Sequence, residues 1–218
     1  MKPAILLALS FLLFALTTNI PLAFSQDDHE NVLDTGGREL IGIGPGYYIM
    51  PAFFGAAGGG VWPGETGNQT CPVTVLQDYS EVVSGKPVKF YTGTRPGYVY
   101  TGAPLDIVFG ENPECTEYSS KWVFVYDDFP KAWVGIGGVE DHPGKDILSG
   151  KFKIEKYGDF GYKLVFCPKF TAPPGACFDI GRFDDEKGRR LVHAEEGDRP
   201  FEVVFVRAID DSGIRSID

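Results

Sequence analysis

The sequence predicts an all-β fold, a barrel or sandwich of many short strands, and three observations predict it. From Gln26 onward the apolar residues favour short strand-like runs, and no long window holds a 3.6-residue period. Gly and Pro are frequent, 28 and 16 in the full chain, and they punctuate those runs. Four cysteines form an even set in a chain whose first residues have the layout of an export signal.

The chain opens with Lys2, an apolar run from Ala4 to Leu16, and small residues at Ala23 and Ser25. This reads as a signal peptide over 1–25, cleaved near Ser25/Gln26. The apolar run is short for a bilayer crossing and ends at a polar stretch with Pro21, so no membrane association is expected and the product is read as secreted. Residues 26–218 are then one domain, large enough for a real core. A formal net charge of −10 leaves no electrostatic footprint for nucleic acid or anionic lipid.

Strands are expected at 47–50, 73–77, 88–91, 105–109, 122–126, 151–156, 162–167, 190–194 and 201–206. Lys151-Phe-Lys-Ile-Glu-Lys alternates polar and apolar at every step, as a half-buried strand does, and the turn Tyr157-Gly-Asp-Phe-Gly leads into its returning partner. The stretch 55–67, GAAGGGVWPGETG, reads as a surface loop, and 210–218 as a disordered polar tail.

Catalytic and metal motifs are missing from the sequence. Gly42-Ile-Gly44-Pro-Gly46 and Gly135-Ile-Gly137-Gly138 lack the Gly-x-Gly-x-x-Gly spacing of a phosphate cradle, so they read as turn glycines. His29, His142 and His193 come without Gly-x-Ser-x-Gly or His-Glu-x-x-His, so no catalytic residue is assigned and no enzyme is expected. Asp127-Asp128 and Asp184-Asp185-Glu186 match no calcium loop and read as solvated turns. Without a Cys-x-x-Cys or paired-His spacing no metal or cofactor is expected.

Cys71, Cys115, Cys167 and Cys177 can pair in three ways. Sequence order favours 71 with 115 and 167 with 177, because the second pair closes the short Pro/Gly-rich loop CPKFTAPPGAC. In the chain-entropy account the two bridges stabilise by about 4 and about 3 kcal/mol. Asn68-Gln69-Thr70 is a glycosylation sequon, and Asn68 is expected to carry a glycan.

A set of ordered motifs is similar to one known family. Val32-Leu-Asp-Thr-Gly-Gly-Arg-Glu-Leu40 followed by Tyr47-Tyr-Ile-Met-Pro-Ala52 resembles the amino-terminal signature of plant Kunitz inhibitors of the soybean trypsin inhibitor type. Cys71-Pro-Val-Thr-Val-Leu-Gln77, Pro104-Leu105, Trp122, Tyr162-Lys-Leu-Val-Phe-Cys-Pro168, Asp179-Ile-Gly181 and Arg189-Arg-Leu191 extend the likeness from near residue 30 to near 207. The resemblance implies a β-trefoil of twelve strands in three pseudo-repeats, six closing a barrel and six capping it. It implies the same disulfide pairing, and a monomer that inhibits serine endopeptidases with a preorganised, substrate-like loop.

By that resemblance the loop is Thr92-Gly-Thr94-Arg95-Pro96-Gly-Tyr98-Val-Tyr-Thr-Gly102, with Arg95 at the primary specificity position. An arginine there suits the acidic pocket of a trypsin-like protease, and Tyr98 in a shifted register suits a chymotrypsin-like one. Two features depart from the family pattern. Pro96 follows Arg95, removing an amide hydrogen and restricting Arg95 itself. Gly42 stands where inhibitory members carry an asparagine that props the loop, and the segment between Leu40 and Tyr47 is one residue longer than the usual signature. The family therefore leaves three outcomes: serine protease inhibition by this loop, inhibition of a cysteine or aspartic protease by another loop, or a non-inhibitory defence, storage or ligand-binding role.

Overall fold

The computed structural model describes residues 30–53, 57–93, 97–113, 115, 119–126, 131–170 and 175–208. The leader over 1–25, the tail over 210–218, His29 and Asp127-Asp128 lie outside the described residues.

Six strands make a closed barrel. β1 (Tyr47–Pro51), β4 (Val88–Tyr91), β5 (Asp106–Phe109), β9 (Gly150–Tyr157), β10 (Gly161–Pro168) and β13 (Glu202–Arg207) pair antiparallel around the ring. The β5 side is joined to β9 by reciprocal amide bonds between Leu105 and Phe152, at 2.9 and 3.1 Å. Alternation decides which side chains enter the barrel. In β1, Tyr47, Ile49 and Pro51 point inward, and in β9 Phe152 and Ile154 do so while Lys151 and Lys153 face out. Edge-to-face, tilted and stacked rings fill the interior, with Tyr47, Phe90, Phe205 and Tyr162 at one end and Trp122, Phe152, Phe166 and Phe124 at the other.

Three hairpins cap the second end. They are β2 (Val61–Gly64) with β3 (Thr74–Gln77), β6 (Trp122–Tyr126) with β7 (Trp133–Ile136), and β11 (Phe178–Asp185) with β12 (Gly188–His193). β3, β7 and β12 also pair with one another in a triangle, which is the pseudo-threefold arrangement of a β-trefoil. The remaining strand, β8 (Asp146–Leu148), pairs with β6. Ser149 alone separates it from β9, so thirteen strands are described where twelve are expected because one long strand changes partner there.

Two bridges tie the frame. Cys71 is joined to Cys115 and Cys167 to Cys177, with Cα separations of 5.8 and 4.2 Å.

Several sequence expectations need correction. Within the stretch 55–67, read as a surface loop, residues 58–64 are not one: Gly58, Gly59 and Gly60 bring the chain under the 78–84 segment, and Val61–Gly64 is a cap strand, while 55 and 56 lie outside the described residues. A Cβ on Gly60 would stand 2.0 Å from the Ser84 carbonyl oxygen, so glycine is there for close approach. Gly135 is likewise not in a turn but inside β7, where a Cβ would meet the His142 ring at 2.9 Å. Asp184 and Asp185 end β11 and pair with Arg189 and Arg190 of the neighbouring strand, at 3.3 and 2.7 Å. β8 and β11 were not anticipated as strands.

Candidate functional site

The 92–104 connection leaves β4 and enters β5 at the uncapped end of the barrel, since Tyr91 pairs with Asp106 while the opposite ends of these strands lead toward the cap. Thr94, Arg95 and Pro96 lie outside the described residues, and the structure defines both of their flanks.

The flank after the loop apex is built like a strand. Val99 is fully buried, its amide donates to the Leu40 carbonyl at 2.9 Å, and its own carbonyl accepts from the Val32 amide at 2.8 Å. It lies between the two arms of an amino-terminal turn whose Leu33 and Glu39 are bridged. Bonds from Thr101 to Glu30 and from Gly102 to Ile154, at 2.9 and 2.8 Å, continue the anchoring to the β9 side of the barrel. With Val99 turned in, Tyr98 and Tyr100 turn out, and both are exposed.

The base of the loop is held by two successive amides. Gly42 N donates to the Gly97 carbonyl at 3.0 Å, and Ile43 N donates to the Phe90 carbonyl at 3.1 Å. Gly42 therefore lies against Gly97 of the loop. A Cβ added there would stand 3.1 Å from Phe90 O and 3.3 Å from Gly97 O, so a propping asparagine requires these carbonyls to give way. Backbone bonds hold the place of a side-chain prop.

The amino-terminal segment beneath the loop is secured by two barrel tyrosines. Tyr47 Oη accepts from the Ile41 amide at 3.0 Å, and Tyr162 Oη from the Leu33 amide at 2.9 Å. Asp34 organises the turn between them, its buried carboxylate accepting from the Gly36 and Arg38 amides at 2.8 and 3.0 Å and from Arg38 Nε at 3.0 Å. Burial by itself pushes this carboxyl up, but the two amide bonds and the Arg38 guanidinium outweigh it and hold the group below the usual carboxylate range. Asp106, at the start of β5, is also held low: burial raises it, and the ammonium groups of Lys151 and Lys121, at 2.6 and 3.1 Å, more than reverse that.

The other residues singled out by sequence lie elsewhere. His142 is buried beside Trp133, its Nε2 2.8 Å from the Ile136 carbonyl oxygen, and His193 ends β12. Asn68 is exposed in the β2–β3 connection on the cap. Among the described residues no three His, Cys, Asp or Glu groups converge as a metal site, and no helix is long and apolar enough to cross a membrane. Sequence reasoning missed Ile43, Val99 and the tyrosine hydroxyls, because each acts through a backbone partner that no local pattern marks.

The described residues 97–102 of the loop are thus held by main-chain bonds, as is Phe90 before it, and Tyr98 and Tyr100 are exposed. Such a segment can dock with little loss of conformational freedom. A family model described as trypsin and protease inhibitor, the legume Kunitz model, matches residues 32–207. A Kunitz-type trypsin inhibitor-like protein from Pisum sativum is 53% identical, the alignment covering 95% of this chain and 94% of that protein. A subtilisin inhibitor from Canavalia lineata is 48% identical, with 87% and 99% covered. A solved Kunitz-type trypsin inhibitor from Cicer arietinum superposes with a TM-score of 0.76 at 52% identity, covering 83% of this chain and 99% of that one.

Proposed function

The chain belongs to the legume Kunitz family of trypsin and protease inhibitors, which are inhibitors and not enzymes, and from that premise we propose that it inhibits a serine endopeptidase, trypsin-like or chymotrypsin-like, by inserting loop 92–102 into the protease cleft. In this reading Arg95 enters the specificity pocket with Thr94 and Pro96 on either side, the Arg95–Pro96 bond is the reactive one, and in a shifted register Tyr98 takes the pocket. Residues 1–25 direct the chain into the secretory pathway, and the mature protein acts as a monomer outside the cell or in a vacuole.

The observation that carries the reading is the double grip on the loop: Gly42 and Ile43 amides at its base, and Val99 fixed between Leu40 and Val32 beyond it. A free peptide loses conformational freedom when it fills a protease cleft, and a segment whose neighbouring residues are already held loses less. The trypsin-inhibitor and subtilisin-inhibitor names of two relatives agree with a serine protease as target.

The test is an inhibition panel of trypsin-, chymotrypsin-, elastase- and subtilisin-like enzymes titrated with the mature protein. At least one enzyme is expected to titrate, and Arg95→Ala to weaken its binding by about 2 kcal/mol or more, the size of an interface hot spot. Full activity of every enzyme at high inhibitor concentration, or an Arg95→Ala protein as potent as the wild type, contradicts the proposal.

A further inference from the structure

The cap carries a second feature, the exposed turn that contains Asn68. Its middle sequon residue is drawn inward: Gln69 Oε1 accepts from the Thr66 amide at 2.9 Å, from Thr66 Oγ1 at 3.1 Å and from Thr74 Oγ1 at 2.9 Å. The Gln69 amide closes the turn on the Thr66 carbonyl at 3.1 Å. With Gln69 fixed, its neighbours Asn68 and Thr70 both stand exposed. Gly67, at a φ of +56°, supplies the left-handed step of the turn, and nothing lies within 4 Å of where its Cβ would be. Both sequon side chains are therefore presented from an ordered, open turn. Asn68 and Thr70 also line a cleft of about 550 Å³ whose far wall is Asp141, His142, Pro143 and Lys145. That volume falls within the roughly 300–1,000 Å³ of small-molecule sites, and the mixture of a proline ring with polar groups matches the amphipathic faces of a hexosamine.

We infer that Asn68 carries an N-linked oligosaccharide and that its first N-acetylglucosamine lies in this cleft. In the transfer, the bond from the sugar C1 to a lipid-linked diphosphate breaks and a bond from C1 to Asn68 Nδ2 forms. The diphosphate leaves with the electron pair, and the amide nitrogen gives up one proton. The site requires export of the chain but not protease inhibition, so its failure and that of the proposed function are separable. It also lies on the cap, at the opposite end of the barrel from loop 92–102, which leaves the loop face uncovered.

The full chain is expressed in a eukaryotic secretory system, and the secreted protein is weighed intact. A mass increase is expected that peptide N-glycosidase removes and that Asn68→Gln and Thr70→Ala both lack while still being secreted. An unmodified wild-type chain, or an increase that persists in both variants, overturns the assignment. Seating in the cleft is read by acetylation of Lys145 with an N-hydroxysuccinimide ester, with Lys156 at the far end of the molecule as internal reference. Lys145 is expected to react several-fold more slowly in the glycosylated protein than in Thr70→Ala. Equal rates overturn the cleft placement.

Discussion

Ile43 is, among the described residues, the one non-glycine at positive φ, at +50°. A β-branched side chain is disfavoured there by about 1–2 kcal/mol, and this one is also 59% exposed, so burial does not explain it. It sits in the bend that joins Ile41 to β1. Gly42 and Ile43 are adjacent, yet both amides face the loop base, one toward Gly97 and the other toward Phe90. Successive amides of an extended strand point to opposite sides; the bend at Gly42 brings these two to one side, and the left-handed step at Ile43 then redirects the chain toward β1. Ile43→Gly keeps the amide and removes the strain. It is expected to raise the unfolding free energy by about 0.5–1 kcal/mol after glycine's greater unfolded-state freedom is deducted. Urea denaturation checks this, and an unchanged or lower midpoint contradicts a strain stored at residue 43.

At the scale of elements, the amino-terminal segment is the part that carries the loop, and Asp34 is its most sensitive point. Its side chain is wholly buried, and it accepts from two amides and Arg38, with Arg207 of β13 3.5 Å away. Because its folded pKa lies below the ordinary value, its stabilisation is present above the unfolded carboxyl pKa of about 3.9 and is lost as pH falls through the lower, folded value. Asp34→Asn is therefore expected to cost about 1–3 kcal/mol near neutral pH, and the gap to the wild type should narrow as pH drops below about 4. Thermal unfolding between neutral pH and strong acid reads this, and a gap that does not depend on pH contradicts the assignment.

The same scale shows what the sequence could and could not convey. β9 and β10 were legible because each inward position is apolar and a Tyr-Gly-Asp turn joins them. β2 and β7 were not, since Gly64 and Gly135 replace the branched residues expected of strands. Those glycines answer to neighbours on other strands or turns: Leu76 in one case, His142 and Val125 in the other. The loop itself could be located only through family likeness, because the bonds that grip it join residues 42 and 43 to residues 97 and 90.

The whole molecule separates two tasks by position. The barrel and its aromatic filling set a rigid frame, the cap closes one end, and the amino-terminal turn, loop 92–102 and the β9–β10 turn share the other. Short strands and an even cysteine count pointed to a stapled all-β domain. Periodicity could not reveal the threefold order, because the three units share a hydrogen-bond scheme and not a visible sequence repeat. The proposed function is a matter of place: a protease would bind at the uncapped end, on the loop that the Gly42 and Ile43 amides adjoin. Hydrogen exchange on the complex with whichever protease of the panel is inhibited tests this most directly. Slowed exchange is expected across 92–102 and 41–44, with the cap turn at 66–70 unchanged, while a footprint on the cap that spares the loop contradicts the account.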